Sequence, residues 1–272
     1  MPSRRSRPSR PSRPPAPHPF LDHPVPLPIA HRGGALDQPE NSMAAFEAAY
    51  HLGFRWMETD AHVTADGVVV AFHDDRLDRV TDRVGIVAEL GWAEVSAARI
   101  DGLAPIPLLA DLIGGWPDVR VNIDPKHDAA VGPLIDVLRR SGALDRVCVG
   151  SFSDTRLDRL RAELGPGLCS STGPVGVQAV KRLADGAVAV APRGAQCLQV
   201  PPAVGDLTLV DEGFVDTAHG LGLHVHVWTI DDPNEMVRLL DLGVDGVMTD
   251  RPAVLRDVLI SRGEWVEAAP RD

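Results

Sequence analysis

Residues 31–74 read HRGGALDQPENSMAAFEAAYHLGFRWMETDAHVTADGVVVAFHD, and the apolar runs in and around this stretch each end in chemistry. Ile29-Ala30 runs into His31-Arg32-Gly33-Gly34, Phe54-Arg55-Trp56-Met57 into Glu58-Thr59-Asp60, and Val68-Val69-Val70-Ala71-Phe72 into His73-Asp74. Burying an unpaired charge is costly, so packing gives no reason to end strands this way. Strand ends that carry His, Glu and Asp form an active-site rim. Alternate side chains share a strand face, so Glu58 and Asp60 point the same way. Two carboxylates that close share a proton or hold a cation. An oxygen-only pair suits Mg²⁺ or Ca²⁺ rather than Zn²⁺. Thr64-Ala65-Asp66-Gly67 is a turn signal that predicts a hairpin over 56–72 and returns His73 to Glu58 and Asp60. His31 and His73 are general acid–base candidates, because imidazole titrates near neutrality.

Outward from this stretch, helical and strand-like segments alternate. Strands are expected at 119–124, 146–150, 167–171, within 187–200, at 223–229 and at 245–249. Helices are expected at 108–113, 129–141, 154–164, 175–184, 211–220, 233–242 and 252–261. Such alternation means a parallel sheet. With 25–31 and 54–60 the strands number eight, and residues 68–72 form the hairpin's return arm. The 272 residues are enough for one barrel of about 250 residues. The expected fold is therefore α/β, a single (β/α)8 TIM barrel over residues 20–265, with a β-hairpin and small insertion after strand 2. Residues 74–106 are read as that insertion, covering the site, with a plain loop as the alternative. Residues 266–272 form a short C-terminal tail. Hydrophobic residues make up 44% and aromatics 4%, so the core must be Leu, Val, Ala and Ile.

Residues 1–19 are Pro, Arg and Ser without apolar periodicity, which predicts a disordered tail. The tail holds five Arg and no acid, so the formal charge of −11 becomes −16 for the remainder. Arg4-Arg5 is not followed by the apolar segment of an export signal. No run approaches the roughly 20 apolar residues of a membrane helix. A solvated extension is expected, rather than a contact with nucleic acid or acidic lipid. Cys148, Cys169 and Cys197 stand in separate apolar runs, which suggests small core residues rather than a disulfide framework or metal cluster. Their reduced state points to a cytoplasmic location.

Other residues fit the same rim. Asn122, Asp124 and Lys126 share a strand face. Lys126 is one of two lysines in a chain with 25 Arg, which suggests a need for a compact point charge; a Lys126–Asp124 surface pair is the alternative. Arg32 can grip a phosphate with its fork of donors, Gly33-Gly34 allows close approach, and Glu40 is expected near the same site. His224, His226 and Trp228 alternate on one face. Without a third metal partner indicated, His226 is placed in the barrel interior or the substrate pocket, and Trp228 on the wall around the substrate's alcohol. His62 lies on the hairpin, at the edge of the site.

Taken in order, His31-Arg32-Gly33, Pro39-Glu40-Asn41-Ser42, Glu58-Thr59-Asp60 and His73-Asp74 resemble the glycerophosphodiester phosphodiesterases. Asn122-Ile123-Asp124-Pro125-Lys126, Ser151-Phe152, Val227-Trp228-Thr229 and Gly246-Val247-Met248-Thr249-Asp250-Arg251-Pro252 extend the resemblance through the body. Asp124 stands where the family usually has Glu. The resemblance implies hydrolysis of a small glycerophosphodiester to glycerol 3-phosphate and an alcohol. It implies one divalent cation, Mg²⁺ or Ca²⁺, on Glu58, Asp60 and Asp124, with Arg32, Glu40, Lys126 and Trp228 around the substrate. Similarity to the phosphoinositide phospholipases C implies attack by the substrate's own 2-hydroxyl, with His31 as base and His73 as acid. A body this acidic repels a phosphodiester, so local cations must dominate. Three alternatives stand beside this. A phospholipase D-like enzyme on lipid head groups would want an exposed apolar rim, which the sequence does not reveal. A non-catalytic binding protein with a worn site is opposed by the intact His31, Glu58, Asp60 and His73. A barrel metallohydrolase of C–N bonds would want a His-rich zinc site.

Overall fold

Hydrogen bonding in the sheet follows the alternation of the sequence. The computed structural model describes residues 13–266. The chain begins with β1 (Leu27–His31), α1 (Met43–His51), β2 (Trp56–Val63), β3 (Val69–Ala71), α2 (Trp92–Val95), β4 (Arg99–Ile100) and β5 (Ala104–Pro105). It continues through α3 (Leu109–Gly115), β6 (Arg120–Pro125), α4 (Asp128–Ser141), β7 (Val147–Val149), α5 (Asp154–Leu164), β8 (Cys169–Ser170) and α6 (Pro174–Ala184). It ends with β9 (Cys197–Val200), β10 (Ala203–Val204), β11 (Leu207–Thr208), α7 (Glu212–Gly220), β12 (His224–Val227), α8 (Pro233–Leu242), β13 (Gly246–Thr249) and α9 (Pro252–Arg262).

Eight of these strands are parallel neighbours in the order β8-β7-β6-β2-β1-β13-β12-β9. The ring closes between β8 and β9 through the parallel Ser171–Cys197 bridge, where Thr172 N donates to Cys197 O at 2.8 Å. β3 pairs antiparallel with β2, as the hairpin reading expected. The largest apolar cluster, mostly Leu and Val, fills the space between barrel and helices. A second fills the barrel itself with Phe20, Leu21, Leu27, Ile29, Trp56, Met248 and the three cysteines.

Two expectations change. Residues 1–12 lie outside the described residues, but 13–19, read as disordered, are fixed to the barrel. Arg13 Nη1 donates to the carbonyls of His23 and Val25 at 2.8 and 2.9 Å, and its Nε lies 2.9 Å from buried Asp245. His18 Nδ1 accepts from Phe20 N at 3.0 Å, capping the turn Pro19–Leu21. That turn drives Phe20 and Leu21, both fully buried, into the barrel floor, where Trp56 Nε1 donates to Phe20 O at 2.8 Å. Arg13 thus has buried partners that composition cannot reveal. The second change concerns residues 74–106. They fold against the hairpin around Val70, Phe72, Leu77, Val87, Val95 and Ile100, forming a lobe of their own rather than a cover. None of them lines the cleft described below. The cover comes instead from the β10–β11 hairpin, whose Val204 and Leu207 stand on the cleft wall. Residues this short and polar in their surroundings gave no strand signal.

Phe20→Ala should cost about 3–5 kcal/mol, the usual result of emptying a large buried aromatic site. Urea denaturation measures it; a loss under about 1 kcal/mol would mean the floor collapses freely.

Candidate active site

Strand register gathers the site. β1 sets His31 opposite Glu58, and β6 sets Asp124 opposite Asp60 and Asn122 opposite Glu58. Ser42 caps α1 by accepting from Ala45 N at 3.1 Å. Asn41, just before it, has φ +55° and turns inward. It donates to Asp60 Oδ2 at 3.0 Å and accepts from Thr59 at 2.7 Å. Gly33 has φ +83°, and a Cβ there would sit 2.7 Å from Ala45 Cβ, so only glycine permits this tight turn after β1. The turn carries Arg32 N to 3.2 Å from Glu58 Oε2.

Electrostatics separates the two carboxylates of β2. Burial first, and then the charge of Asp60, push Glu58 up to about 7. Burial also pushes Asp60 up, but Lys126, Arg32 and His73 outweigh it and hold that group below its usual range. Lys126 Nζ lies 2.6 Å from Asp60 and 2.8 Å from Asp124, while Arg32 Nε lies 3.1 Å from Asp60. Burial raises Asp124 despite Lys126. The Lys126–Asp124 contact is therefore one half of a bridge into the site, not a surface pair.

Each candidate histidine leans on a carboxylate. His31 Nδ1 is 2.7 Å from Asp250 Oδ1, and His73 Nδ1 is 2.6 Å from Asp74 Oδ1. Carboxylates only accept, so Nδ1 carries the proton and Nε2 is left to exchange one. His31 Nε2 lies 3.7 Å from Glu58. Burial opposes charge on His31, but Glu58 and Asp250 prevail and raise it. Arg79 grips Asp74 and holds it down at about 2. Arg79 also binds Glu40 at 2.7 Å, and Glu40 accepts from Arg32 at 3.1 Å. Glu40 does not line the cleft; it stands behind Arg32, clamped between two guanidinium groups. His62 Nε2 is 2.9 Å from His73 O, bracing the backbone that carries His73.

His31, Arg32, Glu58, Asp60, His73, Asp124, Lys126 and Trp228 all open into one cleft of about 720 Å³, within the usual size for a small-molecule site. Trp228 stacks edge to face on Phe152 with ring centroids 5.6 Å apart. Lys181, Arg182, Val204, Leu207 and Leu209 complete the far wall. None of these five carried a sequence signal, because α6 and the β10–β11 hairpin reach the cleft only through the closed fold. Phe152 is 68% exposed, Val204 59% and Leu207 56%. This is the exposed apolar rim that the sequence did not reveal.

Glu58, Asp60 and Asp124 face Arg32, Lys126 and the His31 imidazole, and burial with the charge of Asp60 pushes Glu58 toward its neutral form. Buried oxygen donors fit a hard divalent cation. Among the described residues, the groups whose donor atoms all lie within 4.8 Å of one another are elsewhere. Glu58, Asp60 and Asp124 are the residues that would hold such an ion, and Lys126 bridges the last two.

Glu58 is raised from 4.5 to about 7, so its ionisation opposes folding increasingly above pH 4.5 and fully above pH 7. In EDTA at pH 8, Glu58→Gln should stabilise the protein by up to about 3 kcal/mol, at 1.36 kcal/mol per pKa unit. At pH 4 the gain should vanish. Chemical denaturation at both pH values checks this; destabilisation at pH 8 would mean that His31 and Arg32 already satisfy an ionised Glu58.

Comparison with known proteins agrees with this geometry. Residues 31–254 match the model of the glycerophosphoryl diester phosphodiesterase family. The chain is 41% identical over 251 residues to the "Probable glycerophosphodiester phosphodiesterase 2" of Mycobacterium tuberculosis, covering 90% of this chain and 95% of that one. It is 27% identical to the lysophospholipase D of Homo sapiens over 85% of each chain. A phosphodiesterase from Oleispira antarctica, solved with the product sn-glycerol-3-phosphate, superposes with a TM-score of 0.72 at 23% identity, covering 87% of this chain and 97% of that one. The (β/α)8 barrel, the rim of matched residues and these similarities together show that the chain belongs to the glycerophosphoryl diester phosphodiesterase family.

Proposed function

We propose that this phosphodiesterase cleaves glycerophosphodiesters to glycerol 3-phosphate and an alcohol by paired histidine acid–base catalysis. The observation that carries this is the pair of imidazoles, each fixed through Nδ1 by a carboxylate, flanking a cleft that also holds Arg32 and Lys126. Arg32 and Lys126 take the phosphate's non-bridging oxygens, and Trp228 walls the alcohol. His31 Nε2 accepts the proton of the substrate's 2-hydroxyl as that oxygen attacks phosphorus. His73 Nε2 gives a proton to the departing alkoxide, with Asp74 fixing the ring through Nδ1. The same two nitrogens then exchange roles while water opens the cyclic phosphate. A hard divalent cation, Mg²⁺ or Ca²⁺, held by Glu58 and Asp60 with Asp124 beside them, would stabilise charge developing on the phosphate. Glu58 raises His31, so a group that held the Glu58 carboxylate would favour the neutral, proton-accepting imidazole.

A second reading has an observation of its own. The exposed apolar side chains Phe152, Val204 and Leu207 on the cleft wall suit a glycerol part bearing an acyl chain, as in a lysophospholipid, so that the phosphate product would keep the chain and the head-group alcohol would leave. Among the described residues no helix is long and apolar enough to cross a membrane. Such a substrate would therefore be met as a monomer or at a membrane surface.

Turnover of glycerophosphocholine should yield glycerol 3-phosphate, stop in EDTA and recover with Mg²⁺ or Ca²⁺. Turnover of lysophosphatidylcholine that exceeds it, and falls selectively in Phe152→Ala, would favour the lipid substrate. Release of neither product from either compound defeats the proposal.

His31→Ala and His73→Ala should each lower kcat by about 10²–10⁴. A p-nitrophenyl diester that keeps the glycerol 2-hydroxyl has a leaving group that hardly needs a proton. On it, His73→Ala should be largely rescued and His31→Ala should not. Rescue of His31→Ala alone would exchange the two roles, and full activity of both variants on the natural diester would end the acid–base assignment.

A further inference from the structure

Cys148 on β7, Cys169 on β8 and Cys197 on β9 project into the barrel from three neighbouring strands, fully buried and unoxidised. Strand pairing sets Cys148 opposite Cys169, and the closing bridge brings β9 alongside. The three sulfurs all lie within 4.8 Å of one another, and those of Cys148 and Cys197 are 3.9 Å apart. Tetrahedral zinc with bonds of about 2.3 Å sets its sulfurs about 3.8 Å apart. The separate runs that argued for unrelated core residues thus meet at one point.

His226 adds an independent observation. It lies on β12, the next strand round the barrel, and is completely buried, with the Cys197 thiol as the polar neighbour of its ring. Its ring is close enough to Cys197 to interact with that thiol electrostatically. On the side of the rim, Gln199 Nε2 donates to Asn122 at 2.7 Å and touches Cys148 Sγ at 3.9 Å, separating this group from the carboxylates above.

We propose that Cys148, Cys169 and Cys197 form a zinc site in the barrel interior, separate from the rim, with His226, which lies outside the 4.8 Å group of sulfurs, turning in from β12 as the fourth ligand. Thiolate and imidazole donors select zinc over Mg²⁺ and Ca²⁺, so the two sites do not compete for one ion. Binding would displace the three thiol protons to solvent as the three Zn–S bonds form. The ion would join four successive strands at the seam, where β8 is two residues long and a single bridge completes the ring.

The full chain, purified under reducing conditions and dialysed against EDTA to clear the rim, should retain about one zinc, as structural sites do. Cys169→Ala and His226→Ala should each retain less than about a tenth of it, while His62→Ala retains it all. Protein produced on cobalt should show a thiolate-to-cobalt charge-transfer band. That wild-type spectrum decides the matter should both variants fail to fold. Wild-type protein without zinc and without that band, its three thiols all alkylated after unfolding, overturns the proposal. So does an intact mass short of two hydrogens, which would mean a disulfide. Zinc lost in His62→Ala but kept in Cys169→Ala would place the ion on His62, Asp75 and His127, and overturns it equally.

Discussion

Two carboxylates buried two residues apart on one strand are the constraint around which the molecule is arranged. Glu58 and Asp60 are 5% and 1% exposed, and each would be costly to ionise alone. The fold answers with positive groups brought from elsewhere: Arg32 by the turn after β1, and Lys126 by the end of β6. Asn41 adds a neutral donor, while Ser42 beside it caps α1. Glu58 is still pushed toward its neutral form.

The histidines extend the same logic outward. His31 sits between Glu58 and Asp250, and His73 leans on Asp74, which Arg79 holds ionised. Arg79 comes from the lobe after the hairpin and reaches Arg32 through Glu40. That lobe therefore serves the site as a brace rather than a lid. Each reactive group is fixed by a partner that is itself fixed, which holds the ring nitrogens in one tautomer and one orientation.

The barrel divides its interior into layers. Phe20 and Leu21 seal the floor, the cysteines and His226 occupy the middle, and Asn122 and Gln199 separate them from the rim. Above the rim, the charged groups share the cleft with the apolar side chains of Phe152, Trp228, Val204 and Leu207. A phosphate held among cations next to an apolar wall is suited to a molecule with a charged end and a carbon-rich end.

The sequence by itself determined the strands and their order, because apolar runs of fixed length alternate with helical periodicity through the chain. It also determined most of the candidate site's rim, because charge at the end of a buried strand has no packing reason to be there. His31, Glu58, Asp60, His73, Asp124, Lys126 and Trp228 could be named for that reason, and all open into the cleft. What only the tertiary structure decided depends on separations that the chain does not encode locally. Glu40 moved from the phosphate to the back of Arg32, and Arg13 left an apparently disordered tail to meet Asp245 across 232 positions. Cys148, Cys169 and Cys197 came from three separate strands to within 4.8 Å. A side chain's neighbours along a strand follow from alternation, but its neighbours around a barrel follow from register and closure, and those are fixed only when the ring is complete.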